Sequence, residues 1–239
     1  MATFRIKRME AKPLDDVPRL IRSIAAIPDT TVAVISGRPV AEINELLGKE
    51  DIYVAGSHGF ELQHPDGRLD VFPPTLLQAE GLRLATKAMI RLSPNAPIET
   101  KIGSIALHTR GLSTSVARHL EAEAWKTWSS FAANSNLQCR YFDGGLELRA
   151  LGRHKGDIID HLLTLLPAGT ASVYIGDDET DEDAFRTVAT RGVGIIVGPG
   201  NQRTSAGAVL PDCTAVRTFL ETWLVMARQR SNKTFSAPS

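Results

Sequence analysis

The stretch YIGDDETDEDAF, residues 174–185, places six carboxylates in the seven positions from Asp177 to Asp183. Like charges this close repel, and nothing between those positions offsets them. Asp177 and Asp181 stand four apart, a spacing at which a turn leading into a helix can aim both at one point. Hard oxygen ligands in small number suit Mg²⁺, which keeps several of its own waters. Glu182 and Asp183 have a plainer explanation as acidic residues in a first helical turn, favoured by the macrodipole. That explanation does not cover an acidic doublet directly after the apolar run SVYI. Ser36, closing the run TVAVI, adds a hydroxyl that can hold a phosphoryl oxygen together with nearby backbone N–H groups. A Ser-Gly pair is equally common in ordinary turns. Lys155, in GRHKG, adds a positive charge that could bridge an attacking carboxylate and a phosphate, although a lone lysine there reads as surface.

These groups need elements to carry them. Val17, Leu20, Ile21, Ile24 and Ile27 fall at helical spacing, with Pro18 tolerated in a first turn. TVAVI (31–35) and IYVA (52–55) are short, apolar and partly β-branched, as buried parallel strands are. Between them PVAEINELLG reads as a helix stopped by Gly48. FELQHPDGRLDVF alternates about a Pro-Asp-Gly turn, the pattern of a hairpin. Helices are expected near 76–92 and 113–133. Strands are expected near 97–102 and 104–109, then at LQCRYF and LELR about Asp143, Gly144 and Gly145. After GRHKG come a helix at 156–166, the strand ASVYIG, a helix from about 182, the strand VGIIVG and a closing helix through Val216, Phe219 and Trp223. The order predicts a doubly wound α/β core with a parallel sheet, residues 1–72 and 150–239, interrupted by an α+β module, residues 73–149. Ligands of such sheets bind at the carboxyl ends of the strands, where Ser36 and Asp177 stand.

The 27 basic and 27 acidic residues cancel, so no electrostatic footprint for nucleic acid exists and no nucleic-acid partner is expected. Cys139 and Cys213 stand far apart in no metal spacing, which fits a reducing compartment. MATFRIKRME lacks the apolar centre of a signal peptide, and no apolar run approaches the ~20 residues that span a bilayer. A cytoplasmic location without membrane contact is expected. The polar end RQRSNKTFSAPS is expected to fray.

Taken together, strand–Ser, helix–Lys and strand–Gly-Asp-Asp-x-Thr-Asp, in that order, resemble the haloacid dehalogenase superfamily, whose core is Rossmannoid. The insert resembles the superfamily's α+β cap of the sugar-phosphatase type. VAVISGRP, GSHGFEL, SIALHTR, LELR…HKG and YIGDDETDEDAF resemble the trehalose-6-phosphate phosphatase family, over about residues 2 to 225. The resemblance implies a Mg²⁺-dependent phosphatase hydrolysing trehalose 6-phosphate, a small-molecule sugar phosphate, through an aspartyl-phosphate. It implies that Ser36 binds the phosphoryl group and Lys155 stabilises nucleophile and phosphate. Asp177 would ligate Mg²⁺, with Asp181 at the same metal site. Gly37, Arg38, His58, Lys101, His108, Glu147 and Arg149, with Glu99 beside them, form the implied substrate-binding set. A related sugar phosphate, such as sucrose phosphate or glucosylglycerol phosphate, is a neighbouring possibility. A response-regulator receiver shares the acidic pocket, hydroxyl and lysine, but lacks the large insert and this motif order.

The resemblance also implies an opening strand followed by Asp-x-Asp-Gly-Thr, bearing the attacking and the acid–base aspartates. The 239 residues contain no such motif, and the first core strand is absent with it. Asp15 and Asp16 follow a polar, proline-containing loop and do not replace it. Loss of a buried central strand would cost several kcal/mol at ~25 cal/mol per Å². The expectation is a true start upstream of Met1, with strand and motif encoded in frame. The alternative is a catalytically inactive sugar-phosphate binder.

Overall fold

The structure, a computed structural model, describes residues 13–199 and 203–235. The first dozen residues and the last four, on which part of the family likeness and of the expected fraying falls, lie outside the described residues.

The described chain divides into two compact units, one up to Asp70 and again from His154 onward, the other Val71–Arg153. In the first unit the order begins α1 (Val17–Ala25), β1 (Ala33–Ile35), α2 (Val40–Leu47), β2 (Tyr53–Gly56) and β3 (Glu61–Gln63), and β4 (Leu69–Val71) ends at the boundary between the units. Strand β1 pairs parallel with β2, and β2 pairs antiparallel with β3. The apolar faces of these elements close on Val40, Ile43, Ile52 and Val54, against which Ile21, Val32, Val34 and Leu47 pack. The turn between β3 and β4 sits on Pro-Asp-Gly as its composition demands, with the His64 N–H donating to Arg68 O at 2.8 Å.

After the second unit the chain returns with α5 (Lys155–Leu165), β9 (Ser172–Gly176), α6 (Glu182–Val188), β10 (Gly192–Val197), β11 (Ala208–Leu210) and α7 (Cys213–Phe235). Strands β9, β10 and β11 form an all-parallel sheet in the order β11-β10-β9. The helices are required to cover parallel strands, which bury both faces. Ile159, Leu163, Ala184 and Val188 make that cover, and Ile35 of β1 packs on the same cluster as Tyr174 of β9. Both strands therefore deliver their carboxyl ends to one packed cluster.

Three expectations change. Among the described residues the first unit holds two sheets rather than one continuous sheet, because β1 and β9 have no described strand to join them. Strand β11 escapes the sequence pattern, since only three residues pair and two of them are small or half-exposed. The expected fraying from residue 228 does not begin there: α7 runs on to Phe235.

The second unit carries α3 (Leu76–Leu92), β5 (Ile98–Lys101), β6 (Ser104–His108), α4 (Thr114–Ala132), β7 (Leu137–Phe142) and β8 (Gly145–Ala150). Its four strands are antiparallel in the order β5-β6-β8-β7. Thr75 and Gln78 make a reciprocal capping box at the start of α3, and the Gln78 amide donates to the carbonyls of Asn136 and Leu151. Period-two alternation sorts each strand into two faces. Ile105, Leu107, Leu146 and Leu148 are fully buried on one face, and α3 and α4 contact this sheet. Leu148→Ala should cost about 2–5 kcal/mol, because a well-packed core leaves a cavity behind. Urea unfolding followed by the fluorescence of buried Trp128 measures it.

Candidate active site

Strand β9 ends at Gly176, and the six carboxylates that follow have different tasks. Asp178 accepts from the Thr180 N–H at 2.6 Å and from the Thr180 hydroxyl at 2.5 Å, shaping a 3₁₀ turn over Glu179–Asp181. Asp181 folds back beneath the strand end. Its Oδ2 accepts the N–H groups of Asp177 at 2.9 Å and Asp178 at 3.1 Å. Its Oδ1 accepts the Lys155 ammonium at 2.7 Å and the Tyr174 hydroxyl. A Cβ at residue 176 would stand 2.3 Å from Asp181 Cγ, so only glycine admits this fold-back. Glu182 accepts from the Thr204 hydroxyl at 2.6 Å and the Ser205 N–H at 2.8 Å, and Asp183 pairs with Arg186. The cluster is thus held by one buried lysine, one arginine and a set of N–H and O–H donors.

Lys155 and Asp181 are buried, at 7% and 2% exposure. Burial alone would raise the Asp181 carboxyl, but the Lys155 charge and the hydrogen bonds from Lys155 and Tyr174 hold it below the ordinary carboxylate range. The same environment, burial first and Asp181 second, pushes the Tyr174 hydroxyl far upward and keeps it a donor. Asp177 reaches solvent, yet desolvation by its surroundings, with Asp181 and Asp178 adding repulsion, raises its carboxyl.

Ser36 follows β1. Its N–H donates to Ala55 O at 2.9 Å, and its hydroxyl oxygen accepts the Arg38 N–H at 3.2 Å. The turn Ser57–Gly59 lies against it: the His58 N–H donates to Ser36 O at 3.1 Å and the Ser57 N–H to Arg38 O at 2.8 Å. His58 itself lies over residue 37, where a Cβ would stand 2.5 Å from the ring. On the other side a Cβ at Gly59 would stand 3.0 Å from Ile158 Cγ1 and 3.4 Å from His154 O, so this turn also abuts the start of α5. Ser36, Gly37, Arg38, His58, Lys155, Asp177 and Asp181 accordingly belong to one continuous set of contacts in the first unit.

The remaining residues gather on the polar face of the second unit. The register stacks Lys101, Ser104 and Arg149 in one row, and Glu99, Ala106 and Glu147 in the next. Glu147 accepts from the Ser104 hydroxyl at 2.9 Å and faces Lys101 Nζ at 3.4 Å. Lys101 is 3.7 Å from Glu99, which also bonds His108 Nε2 at 2.7 Å. Such a face offers alternating donors and acceptors of the kind that hydroxyl groups match.

One expectation needs correcting. Asp181 does not share an aim with Asp177, because four donors already surround its two oxygens. Among the described residues no group of three or more His, Cys, Asp or Glu side chains could hold a metal ion. Asp177 fits one hard-oxygen position at the strand end, the kind of limited donation that a small divalent cation with retained waters accepts. Sequence reasoning missed Tyr174 and Glu182. A tyrosine in a buried strand demands a partner for its hydroxyl, and that demand was the available signal for Tyr174.

Helices packed on a parallel sheet, with a lysine, a hydroxyl and carboxylates at the strand ends, make a fold like that of a haloacid dehalogenase-like hydrolase of B. subtilis, which superposes with a TM-score of 0.58 at 14% identity over 90% of this chain and 95% of that one. The C-terminal domain of C. albicans trehalose-6-phosphate phosphatase superposes with a TM-score of 0.76 at 20% identity, covering 95% of this chain and 88% of that one. A sequence profile of the trehalose-phosphatase family matches residues 2–211, and the chain belongs to that family. A probable trehalose-phosphate phosphatase of Sinorhizobium fredii is 30% identical over 191 residues, 79% of this chain and 71% of that protein. A bifunctional trehalose-6-phosphate synthase/phosphatase of Thermoproteus tenax is 31% identical over 215 residues. That match takes in 88% of this chain but only 29% of the Thermoproteus protein, so the chain spans under a third of that relative. Membership implies a divalent metal. No helix among the described residues is long and apolar enough to cross a membrane.

Asp181→Ala should destabilise the first unit by roughly 3–5 kcal/mol, since it strands a buried ammonium. The depressed Asp181 carboxyl contributes stability that is fully present above its unfolded value of about 4 and is lost as pH falls through its lower native value. Urea unfolding between pH 2 and 6 should show that loss in the native chain and a shallower pH slope in Asp181→Asn.

Proposed function

We propose that the chain provides the substrate-binding and phosphate-binding parts of a phosphatase acting on trehalose 6-phosphate. The observation carrying this reading is the buried Lys155–Asp181 pair at the end of β9, a strand whose Tyr174 packs on the same cluster as Ile35 of the strand that delivers Ser36. In this reading the Lys155 ammonium, pinned by Asp181, presents its remaining protons to phosphoryl oxygens. The Ser36 oxygen already accepts from Arg38, which leaves its own O–H to donate to a phosphoryl oxygen. Asp177 would hold Mg²⁺, and Asp181 supports that position by fixing the backbone of residues 177 and 178. The ion, when bound, supplies charge neutralisation for the phosphate. Transition states of phosphoryl transfer ask mainly for this positioning and electrostatic support.

Val71–Arg153 serves as the cap in this reading, with Glu99, Lys101, His108, Glu147 and Arg149 taking sugar hydroxyls. Gly37, Arg38 and His58 complete the phosphate side. The family's attacking and acid–base aspartates belong to Asp-x-Asp-Gly-Thr, which these 239 residues do not contain. The alternative reading is a sugar-phosphate binder without turnover. The free thiols Cys139 and Cys213 and the balanced charge support a cytoplasmic setting with no nucleic-acid partner.

Calorimetric titration with trehalose 6-phosphate, trehalose and inorganic phosphate in Mg²⁺ tests the assignment. Lys155→Ala should weaken phosphate and trehalose 6-phosphate by tenfold or more, the scale of a hydrogen bond to a charged group at ~1.5–3 kcal/mol. Glu147→Ala should weaken the two sugars and leave inorganic phosphate unchanged. Trehalose 6-phosphate binding no tighter than phosphate would remove the sugar assignment. Phosphate release by a chain extended with the Asp-x-Asp-Gly-Thr strand, and none by the 239 residues, separates enzyme from binder.

A further inference from the structure

We infer that Glu61 is a positioning residue for the phosphate-binding loop, acting on Ser36 through Ser57 and the first turn of α2. The inference rests on the proposed phosphate role of Ser36. Glu61 opens β3 and is 8% exposed. Helix α2 starts after Pro39, which makes no side-chain cap, so the first N–H groups of the helix need an acceptor from elsewhere. Glu61 Oε2 takes the Val40 N–H at 3.3 Å and, on the same oxygen, the Ser57 hydroxyl at 2.6 Å. One buried carboxylate therefore joins the start of α2 to the turn after β2.

That turn is the other half of the device. Ser57 and His58 hold left-handed backbone angles, φ 50° and 57°, ahead of Gly59 at φ 100°. Side chains avoid this region, so a run of three such residues persists only where neighbours impose it. Its N–H groups are spent on the loop: Ser57 on Arg38 O and His58 on Ser36 O. The contact is too close for side chains in between. A Cβ at residue 56 would stand 2.5 Å from Val40 N. The loop from Ser36 to Val40 is thus gripped at residues 36 and 38 by a strained turn, and Glu61 ties that turn to Val40, where the loop enters the helix. Glu61 bonds the Val40 N–H and the Ser57 hydroxyl rather than Ser36, so its influence on Ser36 passes through the backbone.

A mere helix cap would lower stability without changing phosphate affinity. A positioning residue changes affinity, and only while the Ser36 hydroxyl is there to be positioned. A double-mutant cycle separates the two. Titration of inorganic phosphate and trehalose 6-phosphate in Mg²⁺ should show about a tenfold loss for Glu61→Ala. Glu61→Gln, which keeps an acceptor oxygen, should stay within threefold. In a Ser36→Ala background Glu61→Ala should add less than twofold. If Glu61→Ala does not fold, Ser57→Ala removes one of the two bonds to Glu61 and should weaken binding about threefold, again only when Ser36 is present. Equal losses in both backgrounds, or unchanged affinity with a lowered thermal midpoint, overturn the inference. Should Ser36→Ala itself leave phosphate affinity unchanged, the phosphate role of the loop fails first and Glu61 with it. That outcome is distinct from an intact Ser36 effect uncoupled to Glu61.

Discussion

A buried ammonium facing a buried carboxylate is the constraint that organises the first unit. Lys155 and Asp181 sit 26 residues apart in sequence and 2.7 Å apart in space. Desolvation makes each costly alone, so the two must be brought together by the fold. Meeting that demand fixes much else. Helix α5 must begin beside the end of β9, Gly176 must lack a side chain, and the chain must turn back through Asp178 to bring Asp181 underneath. The Tyr174 hydroxyl and two backbone N–H groups then complete the carboxylate's shell, as a buried charge requires. The outcome is a rigid strand end from which Asp177 projects toward solvent.

The phosphate side and the sugar side solve different physical problems. Around Ser36 the solution is backbone geometry: a left-handed turn and small residues let two segments approach at hydrogen-bonding distance. Left-handed φ costs a non-glycine residue roughly 1–2 kcal/mol, and Ser57 and His58 both bear it. On the second unit the solution is pleating. Alternation puts leucine and isoleucine toward the helices and Glu99, Lys101, Ser104, His108, Glu147 and Arg149 on the other face. Their mutual bonds keep that face ordered while leaving groups of both polarities to meet hydroxyls.

The motifs were readable because local chemistry dictates them. An apolar β-branched run followed by Ser-Gly or Gly-Asp-Asp can only be a strand entering a turn. The Pro-Asp-Gly hairpin, the α3 boundaries and the cap strands β7 and β8 follow from turn residues and periodicity in the same way. Residues with no local signature were missed. Strand β11 pairs through three residues and has no pattern long enough to register. Glu182 reads as an ordinary first-turn acid until Thr204 and Ser205 are seen to bond it. Spacing from Asp177 and the family motif both place Asp181 at the metal site, but neither says which way a carboxylate faces.

By itself, then, the sequence determined which residue types stand at the strand ends, the order of the motifs and the family to which they belong. These are properties of short segments, set by propensity, periodicity and turn chemistry. Only the tertiary structure decided the tasks of the individual carboxylates. Whether an aspartate meets an ion, a lysine or a pair of N–H groups depends on atoms delivered from distant segments. Burial and direction, which set those partners, exist only once the chain has packed.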